Sequence, residues 1–181
     1  MEETRTEDLE INPQSHRETV KAKWLFALLV FVFGTFACEE ITIYEKGQEL
    51  AGQVWDKDST LFFYPEIRDT SQVVNIGFSF VHNNDYPYSN LWLFINVLSP
   101  DGHMQTDTME FFVAEPTGEW IGKGSDNKKT VYWLYKNDVK LNAPGKFTFS
   151  VTQGMRRDAL PGVRSFYLWI EKALTRETNS D

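Results

Sequence analysis

Val74-Asn75-Ile76-Gly77-Phe78-Ser79-Phe80 sets its large apolar side chains at alternate positions, with Asn, Gly and Ser between them. A two-residue period is what a strand with one buried face requires; an amphipathic helix would repeat its apolar positions every three or four residues. Phe147, Phe149 and Val151 alternate with Thr148, Ser150 and Thr152 in the same way, and Phe166, Leu168 and Ile170 alternate with Ser165, Tyr167 and Trp169. A helical period can also be drawn over residues 163–172, but the strand-like segments before it decide for a strand. Residues 91–95, Leu-Trp-Leu-Phe-Ile, are apolar throughout, as expected of a central strand covered on both faces. Residues 61–67, 106–113 and 130–135 complete a set of about seven or eight strands.

Turn chemistry separates them: Asn83-Asn84-Asp85-Tyr86-Pro87, Ser99-Pro100-Asp101-Gly102, Glu115-Pro116-Thr117-Gly118, Asn142-Ala143-Pro144-Gly145 and Pro161-Gly162. Short strands at this spacing, without a long amphipathic helix, predict an all-β fold, an antiparallel β-sandwich of jelly-roll type, over residues 56–172. Aromatic residues make up 15% of the chain, which favours strands and, where exposed, binding surfaces. Residues 173–181 read as a polar tail, and residues 38–55 as a polar tether with one short alternating patch, Ile41 and Ile43.

Ahead of the tether, residues 24–38 read WLFALLVFVFGTFAC, opened by Lys21 and Lys23 and closed by the chain's single cysteine. An apolar run of 14 residues, Trp24 to Ala37, suits the core of a signal peptide and falls short of the roughly 20 residues that cross a bilayer as a helix. A small residue before a lone Cys at the end of such a run is the pattern of a bacterial lipoprotein signal. It predicts removal of residues 1–37 and acylation of Cys38, with an uncleaved N-terminal anchor as the competing reading. Residues 1–19 carry five acids in their first ten positions, unlike the basic start of a signal. A start at Val20, read from a GTG codon, would give a compact signal and leave residues 1–19 untranslated.

Taking away residues 1–37, with six acids and four bases, from the chain's 26 acids and 18 bases leaves 20 and 14, a net charge of about −6. An acidic surface whose only basic pairs are Lys128-Lys129 and Arg156-Arg157 argues against nucleic acid or anionic lipid headgroups as main partners, because both need clustered cations. With Cys38 given to lipid, no disulfide framework and no thiol chemistry are expected. His16 falls in the signal, while His82 and His103 are expected at the surface in or beside turns, so no metal site is expected. Asp101, Asp107, Asp126 and Asp138 fall in or near loops without the spacing of a calcium loop. Residues 121–127, Ile-Gly-Lys-Gly-Ser-Asp-Asn, lack the glycine spacing and following helix of a phosphate loop and read as a polar turn. No catalytic constellation can be assembled, so neither an enzyme nor a cofactor is expected. Trp120, Trp133 or Trp169 on an outer face would offer an alternative, a lipid-anchored glycan-binding sandwich; otherwise they are core or interface residues.

Several stretches together resemble one family, the gliding-motility lipoprotein H family of Bacteroidota. They are Asp69-Thr70-Ser71-Gln72, residues 85–95 (DYPYSNLWLFI), Ser99-Pro100-Asp101-Gly102, Asp107-Thr108-Met109-Glu110-Phe111, residues 118–124 (GEWIGKG) and residues 153–163 (QGMRRDALPGV). They run in family order between Asp69 and Lys172; the acidic N-terminal extension departs from the pattern. The resemblance implies a noncatalytic envelope lipoprotein, serving gliding and the linked type IX secretion machinery, with other envelope proteins of that machinery as partners. Glu39 and Glu40 after Cys38 resemble the acidic residues that direct lipoproteins to the cell surface in this phylum, and an outer-membrane anchor is expected. The matched turns mix aromatic, apolar and cationic groups, which makes Tyr86, Pro87, Tyr88, Trp120, Met155, Arg156, Arg157, Leu160 and Pro161 candidate interface residues. The other role open to them is to lock the turns in place.

Overall fold

Strands with one apolar face must bury that face against another, and here two antiparallel sheets do so. The computed structural model describes residues 41–125 and 127–174. In chain order the strands are β1 (Thr42–Glu49), β2 (Val54–Asp56), β3 (Leu61–Phe63), β4 (Glu66–Ile67), β5 (Val73–His82), β6 (Asn90–Leu98) and β7 (Met104–Phe112). They continue as β8 (Lys123–Ser125), β9 (Lys128–Lys140), β10 (Gly145–Lys146), β11 (Thr148–Gln153), β12 (Ala159–Pro161) and β13 (Val163–Lys172). One sheet has the order β1-β13-β5-β9-β8 and the other β3-β11-β6-β7; β10 pairs with β4, and β12 with β2. The all-β sandwich expected from the alternating segments is the fold observed.

The core lies where the alternation places it. Ile76, Phe78 and Phe80 of β5, Phe166, Leu168 and Ile170 of β13 and Val131, Trp133 and Tyr135 of β9 face Leu91, Leu93 and Ile95 of β6 and Phe149 and Val151 of β11. Phe78 is the aromatic hub, with Phe166 at 5.2 Å, Tyr135 at 5.4 Å and Phe111 at 6.2 Å between centroids. On the outer face of the five-stranded sheet, Trp169 lies across Gly77. A side chain at residue 77 would overlap both that indole and the Trp133 carbonyl.

Three departures from the sequence reading have physical causes. The stretch 61–67 is two strands, because Pro65 has no N–H to donate: β3 pairs with β11, and after Pro65 the chain crosses to pair with β10. Strand β9 runs well past Tyr135, kinked by irregular register against β5 between Val74 and Gly77. There Asp138 adopts φ 52, its N–H held by the Asn75 carboxamide oxygen at 2.9 Å. Residues 42–55, expected in the tether, are largely part of the sandwich. β1 is an edge strand on β13, with Gln48 donating to the Phe62 carbonyl at 2.6 Å, and Trp55 of β2 is fully buried.

The expected signal peptide, Cys38, Glu39-Glu40, Asp126 and the tail from residue 175 lie outside the described residues. Among the described residues no helix is long and apolar enough to cross a membrane.

Candidate interaction site

One end of the sandwich, where β5 finishes and β6 begins, gathers three of the turns singled out in the sequence. Asn83 organises the first: its side-chain oxygen accepts from Asp85 N–H at 2.8 Å, and its own N–H donates to the Gly162 carbonyl at 2.9 Å. Gly162 has φ 78, and any side chain there would collide with the Tyr86 amide, so the turns at 83–87 and 159–163 interlock only with glycine at that position. Tyr86 closes the interlock. Its ring is 2% exposed, it meets Phe80 edge-on at 5.1 Å, and its hydroxyl donates to the Asn90 carbonyl at 2.7 Å. Burial pushes its phenol far above the ordinary tyrosine range.

His82 is not at the surface. It is fully buried between Phe80, Tyr86 and Trp120, whose indole meets the imidazole at 4.7 Å. Its Nδ1 lies 3.0 Å from the Asn83 carbonyl oxygen. Only a protonated Nδ1 can meet a carbonyl, so the neutral ring carries its hydrogen there, and Nε2 is left buried without a hydrogen-bond partner among the described residues. Burial holds the ring below the usual histidine range. The expectation failed because position 82 continues the inward alternation of β5 beyond Phe80, while the Asn-rich turn that follows suggested exposure. His103 does sit in an exposed turn, where Asp101 accepts from its backbone N–H at 3.1 Å.

The candidate interface residues divide accordingly. Tyr86 and Leu160 are buried and hold the turns together, and Trp120 and Pro161 are half-buried beside them. Pro87, Arg156 and Arg157 are exposed, and Tyr88 and Met155 half-exposed. Tyr88, Asn90, Trp92, Gly154, Met155 and Arg156 line a groove of about 520 Å³. Its floor is set by Gln153, a buried amide that donates to the Arg157 carbonyl at 2.9 Å and accepts from Met155 N–H at 2.8 Å, curling residues 153–157 back on themselves. The Gly154 N–H then reaches the Trp92 carbonyl at 2.7 Å, which lays the loop over β6. Trp92 is the member that the sequence reading missed. β6 was expected to be covered on both faces, yet Trp92 is 39% exposed and Phe94 is also exposed on the outer face. A bare apolar face and a covered one have the same sequence; only the topology, in which no other described strand covers Trp92 and Phe94, separates them.

The tryptophans on which a glycan platform was weighed are not exposed rings. Trp133 is in the core with its indole N–H donating to the Phe112 carbonyl at 2.8 Å, and Trp120 and Trp169 are half-buried. At the opposite edge of the sandwich Asp107 gathers donors onto a single oxygen: the Tyr135 hydroxyl, Lys136 at 2.9 Å and Gln105 at 2.7 Å. The Tyr135 hydroxyl, with Lys136 and Gln105, holds the Asp107 carboxyl below the usual range. Among the described residues no three His, Cys, Asp or Glu side chains are placed to hold a metal ion.

The family model described as GldH lipoprotein matches residues 42–168. The chain belongs to the GldH lipoprotein family. It is 31% identical over 159 residues to the gliding motility lipoprotein GldH homolog of Christiangramia forsetii, covering 82% of this chain and 96% of that one. It is 30% identical over 139 residues to gliding motility lipoprotein GldH of Flavobacterium johnsoniae, covering 76% and 86%. Membership places the chain among lipid-anchored gliding-motility lipoproteins of the cell envelope. The infectious bursal disease virus VP2 subviral particle overlaps with a TM-score of 0.33 at 15% identity, covering 74% of this chain and 31% of that one, a likeness too slight to bear on function. The GldH match begins with β1, so residues 42–55 of the segment expected as the tether lie inside the matched region.

Proposed function

We propose that this GldH protein is a noncatalytic lipoprotein, acylated at Cys38 and held in the outer membrane, that supports gliding motility and the linked type IX secretion machinery by docking another envelope protein. The observation that carries the reading is the groove of Tyr88, Trp92, Met155 and Arg156, in which stretches far apart in sequence present an aromatic ring, a thioether and a guanidinium side by side. Aromatic residues, Met and Arg are the residue types enriched in protein interfaces, and adjoining turns locked by Tyr86 and Gly162 keep the end rigid, which lowers the entropy lost on docking. The noncatalytic role is supported by the state of two polar groups: buried His82 is sealed behind aromatic rings, and one oxygen of the partly exposed Asp107 is occupied by neighbouring side chains.

The test is chromosomal replacement in the source organism. Tyr88→Ala with Arg156→Glu is expected to leave the envelope level and melting temperature of the protein close to wild type while abolishing cell spreading and secretion. Normal spreading and secretion by that variant would overturn the docking role. Selective binding on a glycan array, lost with Trp92→Ala, would favour a glycan-binding sandwich instead.

A further inference from the structure

The chain between the acylated cysteine and the first strand is very short. Ile41 is tied to the sandwich by its carbonyl, which accepts from Lys172 N–H at 2.9 Å, and Thr42 begins β1 opposite Glu171. Two residues, Glu39 and Glu40, separate Cys38 from Ile41, and the three steps from Cys38 to Ile41 span at most about 10 Å when fully extended. The headgroup layer on each side of a bilayer is itself about 5–8 Å deep. The ten residues of β5 extend for about 33 Å. A lipid on Cys38 therefore cannot hold the sandwich away from the surface; it can only choose which part of the sandwich meets it.

The registers identify that part. Lys172 pairs with Val74, Val73 pairs with Lys140, and Ala173 N–H donates to the Val73 carbonyl at 2.9 Å, so Ile41, Val73, Lys140 and Ala173 share one end of the five-stranded sheet. The turn at residues 99–103 joins the same end, since it lines one cleft with Val139, Lys140 and Leu141. The groove of Tyr88, Trp92, Met155 and Arg156 lies toward the other end, one strand length away.

From this we propose that the mature protein stands end-on against the lipid surface, with Ile41 and Leu174 in contact with it and the groove held outward. The proposal rests on acylation of Cys38, argued above. Two contacts could satisfy so short a tether: this end, or the long edge of β1. The end offers exposed apolar groups, Ile41 at 45% and Leu174 at 76% exposure, beside Ala173 and Lys140, with Asp138 and Glu171 lining the same cleft. The β1 edge instead exposes Glu45, Lys46 and Glu49 and no large apolar side chain, so nothing there offsets the water these charges would give up against the headgroups. The end-on contact is the favoured one, and it turns the groove toward whatever lies beyond the membrane surface.

The experiment uses the mature acylated protein, purified from membranes and reconstituted into phosphatidylcholine vesicles that carry a nitroxide on the headgroup. Single cysteines replace Leu174, Glu45 or Pro87, all exposed, and each is labelled with a fluorophore; intact mass is recorded first. Quenching at position 174 is expected to exceed that at 87 by at least about threefold, given a separation of roughly 30 Å along the strands, and to exceed that at 45 as well. Equal quenching at 174 and 87 on an acylated chain, or the strongest quenching at 45, overturns the orientation and leaves the acylation standing. A mass without acyl groups overturns both.

Discussion

Tyr86 stood among the candidate contact residues, and the structure makes it a lock instead, a difference that substitution separates in magnitude. Replacing it with Ala empties a site enclosed by Phe80, His82, Tyr88 and Trp120. Loss of a fully buried aromatic ring costs about 3–5 kcal/mol. Replacing it with Phe keeps the ring and removes only the bond to the Asn90 carbonyl, leaving that acceptor unpaired, at about 1–2 kcal/mol. For a domain of about 130 residues, 1 kcal/mol corresponds to roughly 4 °C of melting temperature. Differential scanning calorimetry of the domain is therefore expected to register drops of about 15 °C for Tyr86→Ala and about 5 °C for Tyr86→Phe. Tyr88→Ala, on the groove side of the same turn, should move the melting temperature by no more than about 3 °C. Equal, small shifts for Tyr86→Ala and Tyr88→Ala would refute the division of the turn into a lock and a contact surface.

The remaining predictions concern the rest of the core and its charges. His82 is buried neutral and its pKa is depressed, so folding favours the unprotonated ring: its contribution is complete above about pH 6.5 and is lost as the pH falls below that value. Urea midpoints measured between pH 7 and 5 should fall more steeply for the wild type than for His82→Phe, and parallel slopes would contradict the buried neutral ring. Asp107 has a lowered pKa for the opposite reason, stabilisation of its charged form. Its contribution is present above about pH 4 and is lost as the pH drops through its folded value. Asp107→Asn should lower stability at pH 7 by about 1 kcal/mol, discounted for partial exposure, with the difference from wild type shrinking as the pH falls below about 4 in the same titration. Gly77→Ala, which drives a methyl into the Trp169 indole and the Trp133 carbonyl, should cost about 2–3 kcal/mol by chemical denaturation and shift the tryptophan fluorescence.

How much of this was legible beforehand follows from what alternation encodes. It reports which residues share a face, so the long strands β5, β6, β11 and β13 and the sandwich class could be read from residues such as Phe78, Phe149 and Leu168. It does not report what lies over a face. For that reason Trp92 and Phe94 were expected to be covered and are exposed, while His82 was expected outside and is fully buried. Short pairings such as β12 with β2 are invisible to any periodicity, because three residues cannot display one. They nonetheless bury Leu160 and Trp55 and turn a polar-looking N-terminal stretch into part of the domain. The groove was half legible: turn residues 88 and 155–157 were singled out for their mixed chemistry, but their meeting with Trp92 depends on the Gln153 bonds that curl the loop and the Gly154 bond that ties it to β6, which only the fold supplies.

The proposed docking role and the proposed orientation give opposite tasks to the two ends of one sandwich, a lipid-facing end at Ile41 and Leu174 and a protein-facing end at Tyr88 and Arg156. Site-specific photocrosslinking in living cells reads both at once, with a photoreactive residue placed in turn at positions 88, 156, 41 and 174. Discrete protein adducts are expected from 88 and 156, abolished in each case by mutating the other residue of the groove, and lipid adducts without protein partners from 41 and 174. Protein adducts from 174 with none from 88 would contradict this assignment of the two ends.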